Sequence, residues 1–163
     1  MIRVLFILLF ILPLYSQSIE DMSRKDLVVI LESQLYVREL TGNNDGIEVE
    51  EYLASVGLGK GYPWCAAYTT WGLDQCSITN PQSAWSPHWA RDKDVIWSQV
   101  LIKQRKESKP KAGDTFTLYY NKLKRVGHVG FILSEQEDYF ITIEGNTNVA
   151  GSRAGIGVFK RMI

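Results

Sequence analysis

Hydrophobic periodicity changes once along this chain, at Lys109-Pro110-Lys111-Ala112-Gly113-Asp114. Before that point apolar residues recur at helical spacing; after it they alternate. Helices first and strands later describe an α+β domain, not a parallel doubly wound sheet, in which the two patterns would interleave. Strand patterns cover 115–120, 126–134, 139–144 and 157–160, joined by short or glycine-rich loops, so the sheet is antiparallel.

The helical half divides at its turn signals. Ser23-Arg24-Lys25-Asp26 reads as a capping box, opening a helix with Leu27, Val28, Leu31 and Leu35 on its apolar side and an end near residue 40. Thr41-Gly42-Asn43-Asn44-Asp45-Gly46 breaks it. Asp45 with Glu48 is a second capping signal, and Val49, Tyr52, Leu53 and Val56 follow at helical spacing. Gly57, Gly59 and Gly61 end that helix. A third begins at Cys65, with Gly72 inside it, where close packing against another element is expected. Between 78 and 107 the pattern is weak: 83–91 holds a short helix, 95–102 is ambiguous between strand and helix, and 103–111 reads as a solvated face or loop.

Residues 1–18 stand apart. Met1-Ile2-Arg3 is a small positive start, Val4 to Leu12 is an unbroken apolar run, and Ser16 and Ser18 offer small residues before a cut. The expectation is a secretory signal peptide on an exported, periplasmic or extracellular protein, with one domain over 19–163 that leaves the membrane once the signal is removed. A retained N-terminal membrane helix is the alternative. The chain carries 18 basic and 18 acidic residues. That balance gives no support for nucleic-acid binding, which calls for a clustered basic surface.

Cys65 sits where a glycine- and proline-rich turn, Gly61-Tyr62-Pro63-Trp64, runs into a helix. Unpartnered N–H groups of a first helical turn favour negative charge and ease loss of the thiol proton. Cys65 is therefore a candidate thiolate nucleophile; a buried structural cysteine is the alternative. Cys76 is the other cysteine. With residues 65–75 helical, the two lie about 16 Å apart along the axis, too far for a disulfide. Their spacing also lacks the close pairing of a zinc site, so neither metal nor cofactor is expected.

A nucleophilic cysteine needs a base, and the base needs an orienter. His88, between Trp85 and Trp89, reads as an ordinary histidine. His128 is the better base, inside a strand with Gly127 and Gly130 as small neighbours. If residues 134–138 form the turn, His128 faces Glu144; if 136–138 do, it faces Asn146. Both share one strand face, so either register brings an acceptor to the imidazole, whereas a one-residue slip would not.

The chain resembles the CHAP family, the cysteine- and histidine-dependent amidohydrolases/peptidases, in particular a small exported subgroup. The resemblance rests on Gly42-Asn43-Asn44-Asp45-Gly46, Pro63-Trp64-Cys65-Ala66-Ala67-Tyr68, Ser83-Ala84-Trp85, Pro110-x-x-Gly113-Asp114, Gly127-His128-Val129-Gly130-Phe131 and Glu144-Gly145-Asn146-Thr147. Pro63-Trp64-Cys65 departs from the Asp-Cys-Ser usual in the related NlpC/P60 enzymes. The resemblance implies a papain-like fold, N-terminal helices packed on a C-terminal antiparallel sheet. It implies cleavage of an amide bond in bacterial peptidoglycan, within the stem peptides or at the glycan–peptide junction, by a monomer. It carries over Cys65 as nucleophile, His128 as base and Glu144 as third residue, with Asn146 assisting. Asn44 and Tyr62 are candidates for the second oxyanion donor, after the Cys65 N–H. Trp64, Trp85 and Trp89 are candidate groove walls, each with a core role as the alternative. A catalytically silent wall-binding module on the same fold is the competing reading.

Overall fold

The computed structural model describes residues 20–98, 109–152 and 155–163. The signal peptide expected at 1–18, and the parts of the weak region at 99–108, lie outside the described residues. Helix α1 occupies residues 20–33 of the described chain. It is followed by α2 (Ile47–Ala54) and α3 (Cys65–Gln75). Single 3-10 turns stand at Ser86–Trp89 and Asp92–Asp94. The sheet is β1 (Thr115–Tyr120), β2 (Arg125–Glu135), β3 (Phe140–Thr147) and β4 (Gly157–Met162), in that spatial order, every pair antiparallel. This is the α+β arrangement of helices on an antiparallel sheet that the change of period foretells.

The two capping boxes are not used as such. Ser23 lies inside α1, which is already helical at Glu20, where Arg24 pairs with the carboxylate one turn earlier at 3.0 Å. Arg24 also bonds Asp114 at 2.7 Å and the Ala112 carbonyl at 3.0 Å, tying α1 to the approach of β1. The first helix ends well short of residue 40, because the chain beyond it is drawn into the sheet edge. Arg38 bridges to Gly157, the Val158 N–H donates to the Val37 carbonyl (3.2 Å), and the Glu39 N–H donates to the Ile156 carbonyl (2.8 Å). At α2 the cap is Gly46 with φ +117°, a conformation open to glycine, and no side chain caps it. Asp45 instead accepts from the Thr41 N–H (2.9 Å) and hydroxyl (2.7 Å), closing its own loop.

One core joins the layers. Leu27 and Leu31 of α1, Val49, Tyr52 and Leu53 of α2, and Trp64, Tyr68 and Trp71 meet Phe131, Ile143 and Val158 of the sheet. Helix α3 is buried from Cys65 through Leu73, so it has almost no solvated face and is fixed on all sides. Gly72 is where it is pinched: a Cβ there would sit 2.8 Å from Leu31 Cδ2 and 3.6 Å from the Phe131 ring. Gly145 has the same office on β3, where a Cβ would come 2.7 Å from the Trp64 ring and 2.8 Å from Tyr68. The strands thus press directly on the residues that open α3.

Candidate active site

Cys65 is the first residue of α3, with Trp64 at its N-cap and no side chain capping the turn. The donors of that turn stay available at the sulfur's end of the helix. The start of α3 rests on β2: Cys65, Ala66 and Val129 form a small buried cluster, with the half-buried Trp89 packed against it. The Ser86 hydroxyl stands 3.6 Å from the Cys65 sulfur. Burial pushes the Cys65 thiol up. The interaction with His128 and its charge, the Ser86 hydroxyl and the Val129 N–H outweigh that burial, and leave the thiol below its ordinary value.

His128 is 1% exposed, and its Nε2–H donates to Glu144 Oε2 at 2.8 Å. The buried Nδ1 has no hydrogen-bond partner; the Cys65 thiol is the titratable group that acts on the ring from α3. Burial disfavours the imidazolium, yet the interaction with Cys65, the Glu144 hydrogen bond and the charges of both raise it to about 9. A thiol lowered and an imidazole raised are the two directions that favour a thiolate–imidazolium pair.

Glu144 is wholly buried and takes three donors. Besides His128, the Thr142 hydroxyl donates to Oε1 at 2.6 Å and Arg161 donates to Oε2 at 2.8 Å. Burial raises a carboxyl group's pKa, but the bonds from His128 and Thr142 and the charges of His128 and Arg161 hold Glu144 below the usual range. Gly130 leaves it room: a Cβ there would lie 2.9 Å from both Glu144 Cγ and the Phe116 ring.

Asn146 has φ +54°, in a bulge of β3 between Glu144 and Thr147. Its side chain serves the other partner in the site. With the amide oriented to suit its neighbours, the oxygen accepts from the Trp64 N–H at 2.8 Å and the nitrogen donates to the Gly155 carbonyl at 2.8 Å. Asn146 therefore holds the turn before Cys65, while Glu144 holds the ring. Asn44 faces the Asn146 amide at 3.3 Å, and its backbone closes on Glu39 and Gly61.

The candidate groove residues separate. Trp64 is no groove wall: it is fully buried against Tyr52 and Tyr68, with Nε1–H donating to Glu39 at 2.8 Å. Its aromatic neighbours on α2 and α3 offer it more contact than solvent could. Tyr62 and Trp85 are exposed, and the Arg125 guanidinium stacks 4.2 Å over the Trp85 ring. Trp89 packs beside Cys65 and donates to the Ser83 carbonyl at 3.0 Å. His88 is exposed and bonds the Ser83 hydroxyl. Cys65 and Cys76 are both free. Burial and the charge of Asp26 raise the Cys76 thiol, opposite to Cys65. Among the described residues no group of three or more His, Cys, Asp or Glu could hold a metal ion, and no helix is long and apolar enough to cross a membrane.

Sequence reasoning missed Ser86, Thr142 and Arg161. Thr142 was within reach of it, because it shares the face of Glu144 two residues along the strand. Ser86 directly follows the Ser83-Ala84-Trp85 motif. Arg161 gave no local signal; it enters only through the β3–β4 register, where it faces Thr142.

The family model of the CHAP domain matches residues 57–146, more than half of the chain and the whole span from Cys65 through Asn146. The chain belongs to the CHAP family. Membership assigns it cysteine-dependent amidohydrolase or peptidase activity on peptidoglycan. No match to it stands among the curated proteins or the solved structures.

Proposed function

We propose that this CHAP protein is an exported enzyme that hydrolyses an amide bond of peptidoglycan through a thioester on Cys65, with His128 as acid and base and Glu144 as the orienter of the ring. The observation that carries the reading is the His128 ring itself. One nitrogen is tied to Glu144 at 2.8 Å, and the other is left without a hydrogen-bond partner, in a ring acted on by the thiol at a helix start.

The steps follow from that arrangement. The Cys65 thiolate attacks the amide carbon, and the carbonyl oxygen takes the negative charge. The Cys65 N–H, in the unpartnered first turn of α3, is the donor for that oxygen. The His128 imidazolium gives its Nδ1 proton to the departing amine, and a thioester remains. Water then gives its proton to Nδ1 while its oxygen attacks the thioester, and the acid leaves as the thiolate returns. Glu144 stabilises the imidazolium through both halves.

Digestion of purified peptidoglycan with the wild-type and Cys65→Ala proteins, followed by mass analysis of the products, tests the reading. New N-terminal alanine freed from the glycan marks an amidase, and a cut between stem or bridge residues marks an endopeptidase. Wall binding without products from the wild-type protein overturns the enzymatic reading in favour of the silent module. Export rests on the apolar run of Val4 to Leu12 and its small-residue exit. N-terminal sequencing of the protein from its native host should find a start near residue 19, and an intact Met1 in the membrane fraction contradicts it.

A further inference from the structure

Two cations share one oxygen in this site. His128 Nε2 and an Arg161 guanidinium nitrogen both donate to Glu144 Oε2, each at 2.8 Å, while Oε1 is left to the Thr142 hydroxyl. The Arg161 side chain is only 15% exposed. Gly151, with φ +77°, lies directly against its guanidinium. The arginine is thus built into the fold, although it stands on β4, outside the stretch matched by the family model.

We propose that Arg161 is a positioning residue for the catalytic base: it anchors Glu144 from β4 and, by sharing Oε2, limits how tightly the carboxylate holds the His128 imidazolium. The proposal rests on the reading of His128 as acid and base. Two like charges on one acceptor repel, and each leaves the other less of the acceptor's charge. The ring must hold its proton long enough to keep Cys65 ionised, and must then release it to the leaving amine. Glu144 alone favours holding; Arg161 favours release. Among the described residues, the charged or titratable groups that face the ring are Cys65 from α3 and Glu144 from β3, with the Phe116 ring of β1 at 6.4 Å between centroids. Those that face Glu144 are His128 from β2 and Arg161 from β4.

The test is the titration of the His128 ring, followed by NMR in the full-length protein without substrate, together with the pH profile of peptidoglycan cleavage. In Arg161→Met the ring midpoint and the alkaline limb of the profile should both rise by about one pH unit, with a lower plateau rate. Arg161→Lys, which keeps the charge, should return both toward the wild-type position. Should the Met variant not fold, Arg161→Gln carries the same expectation, since it keeps a donor without the charge. A ring midpoint that stays put or falls in the neutral variant overturns the proposal, because a merely structural arginine loosens the site without tightening the proton. A failure of the peptidoglycan reading shows elsewhere, in the wild-type digest, and does not touch the substrate-free titration.

Discussion

A thiol and an imidazole buried side by side titrate as one unit, and here the unit has bounds that kinetics can read. Cys65 lies below its ordinary value and His128 at about 9. Below the thiolate's pKa the nucleophile is a thiol; above that of His128 the leaving amine has no proton donor. The rate of cleavage should therefore trace a bell whose alkaline limb falls near 9. Mild alkylation at neutral pH should label Cys65 well before Cys76, whose thiol is raised instead; equal labelling contradicts the pair. Glu144→Gln removes the charge behind the ring. It should lower turnover by about 10- to 1000-fold and move the alkaline limb down toward an ordinary histidine. Asn146→Ala should leave that limb in place, because its amide serves Trp64 and Gly155, not the ring. Its cost falls on stability, roughly 1–3 kcal/mol for the backbone groups left unpaired, measurable by denaturant unfolding. Of these residues, Cys65 and His128 stand in patterns that local rules describe, a helix start and a strand between small neighbours. Glu144 was legible as an acceptor on the facing strand, but the direct pairing with His128 expected from a turn at 134–138 does not form, because Glu135 pairs with Phe140 and Phe131 with Ile143. The division of labour between Glu144 and Asn146 was not legible, since it depends on a bulge that turns Asn146 out of the strand's alternation.

That bulge lies in the pairing of β3 with β4; a second irregularity, in the pairing of β2 with β3, sets the register that matters for His128. Near the turn Glu135 faces Phe140 and Ser134 faces Ile141; beyond it Ile132 faces Thr142 and Phe131 faces Ile143. Leu133 is the extra residue. Without it the pairing would keep the odd slip that sends His128 to the wrong face. Continued in the corrected register, Gly130 faces Glu144 and His128 lies diagonal to it, within reach of a long side chain. The sequence pattern found all four strands, because alternation survives a single insertion, but it ended β3 three residues and β4 two residues early, and the insertion itself left no mark. Capping boxes misled for local reasons: Ser23 lies inside a helix already formed at Glu20, and Asp45 is taken by the Thr41 N–H and hydroxyl in its own loop. The close approach at Gly130 yields an element-scale prediction. Gly130→Ala sets a methyl 2.9 Å from Glu144 Cγ and 3.1 Å from the Ile143 carbonyl. The backbone cannot give as a side-chain tip can, so β2 and β3 must part. The variant should lose roughly 1–3 kcal/mol of stability, with turnover falling further than the lost stability accounts for, because the carboxylate is displaced from the ring. Thermal unfolding and kinetics of the same sample measure both.

Across the whole molecule, the nucleophile's place is set by contacts far from the sulfur. Helix α3 carries Cys65 at one end and is gripped near the other between α1 and the sheet, at Gly72. The Tyr52, Trp64, Tyr68 and Trp71 rings lock its middle to α2, and Trp71 Nε1–H reaches Glu51 at 3.0 Å. Burial of α3 from Cys65 through Leu73 explains why its sequence shows no polar stripe, and why an internal glycine is tolerated there. The grip can be measured as a coupling between α1 and α3. Leu31→Ala empties a fully buried site and should cost about 2–5 kcal/mol. Gly72→Ala places a methyl 2.8 Å from Leu31 Cδ2 and should cost roughly 1–3 kcal/mol as overpacking. The new methyl and the lost leucine side chain contend for the same space, so the double variant should be less destabilised than the two changes summed. Neighbouring sites that share a cavity typically show an interaction of about 0.5–3 kcal/mol. Reversible unfolding of the four proteins gives that interaction directly. Additive losses would mean that Leu31 and Gly72 do not press on one another, and that α3 is held by its aromatic neighbours alone. A favourable coupling, accompanied by partial recovery of Cys65 alkylation in the double variant, would trace the position of the sulfur back to a leucine on the first helix.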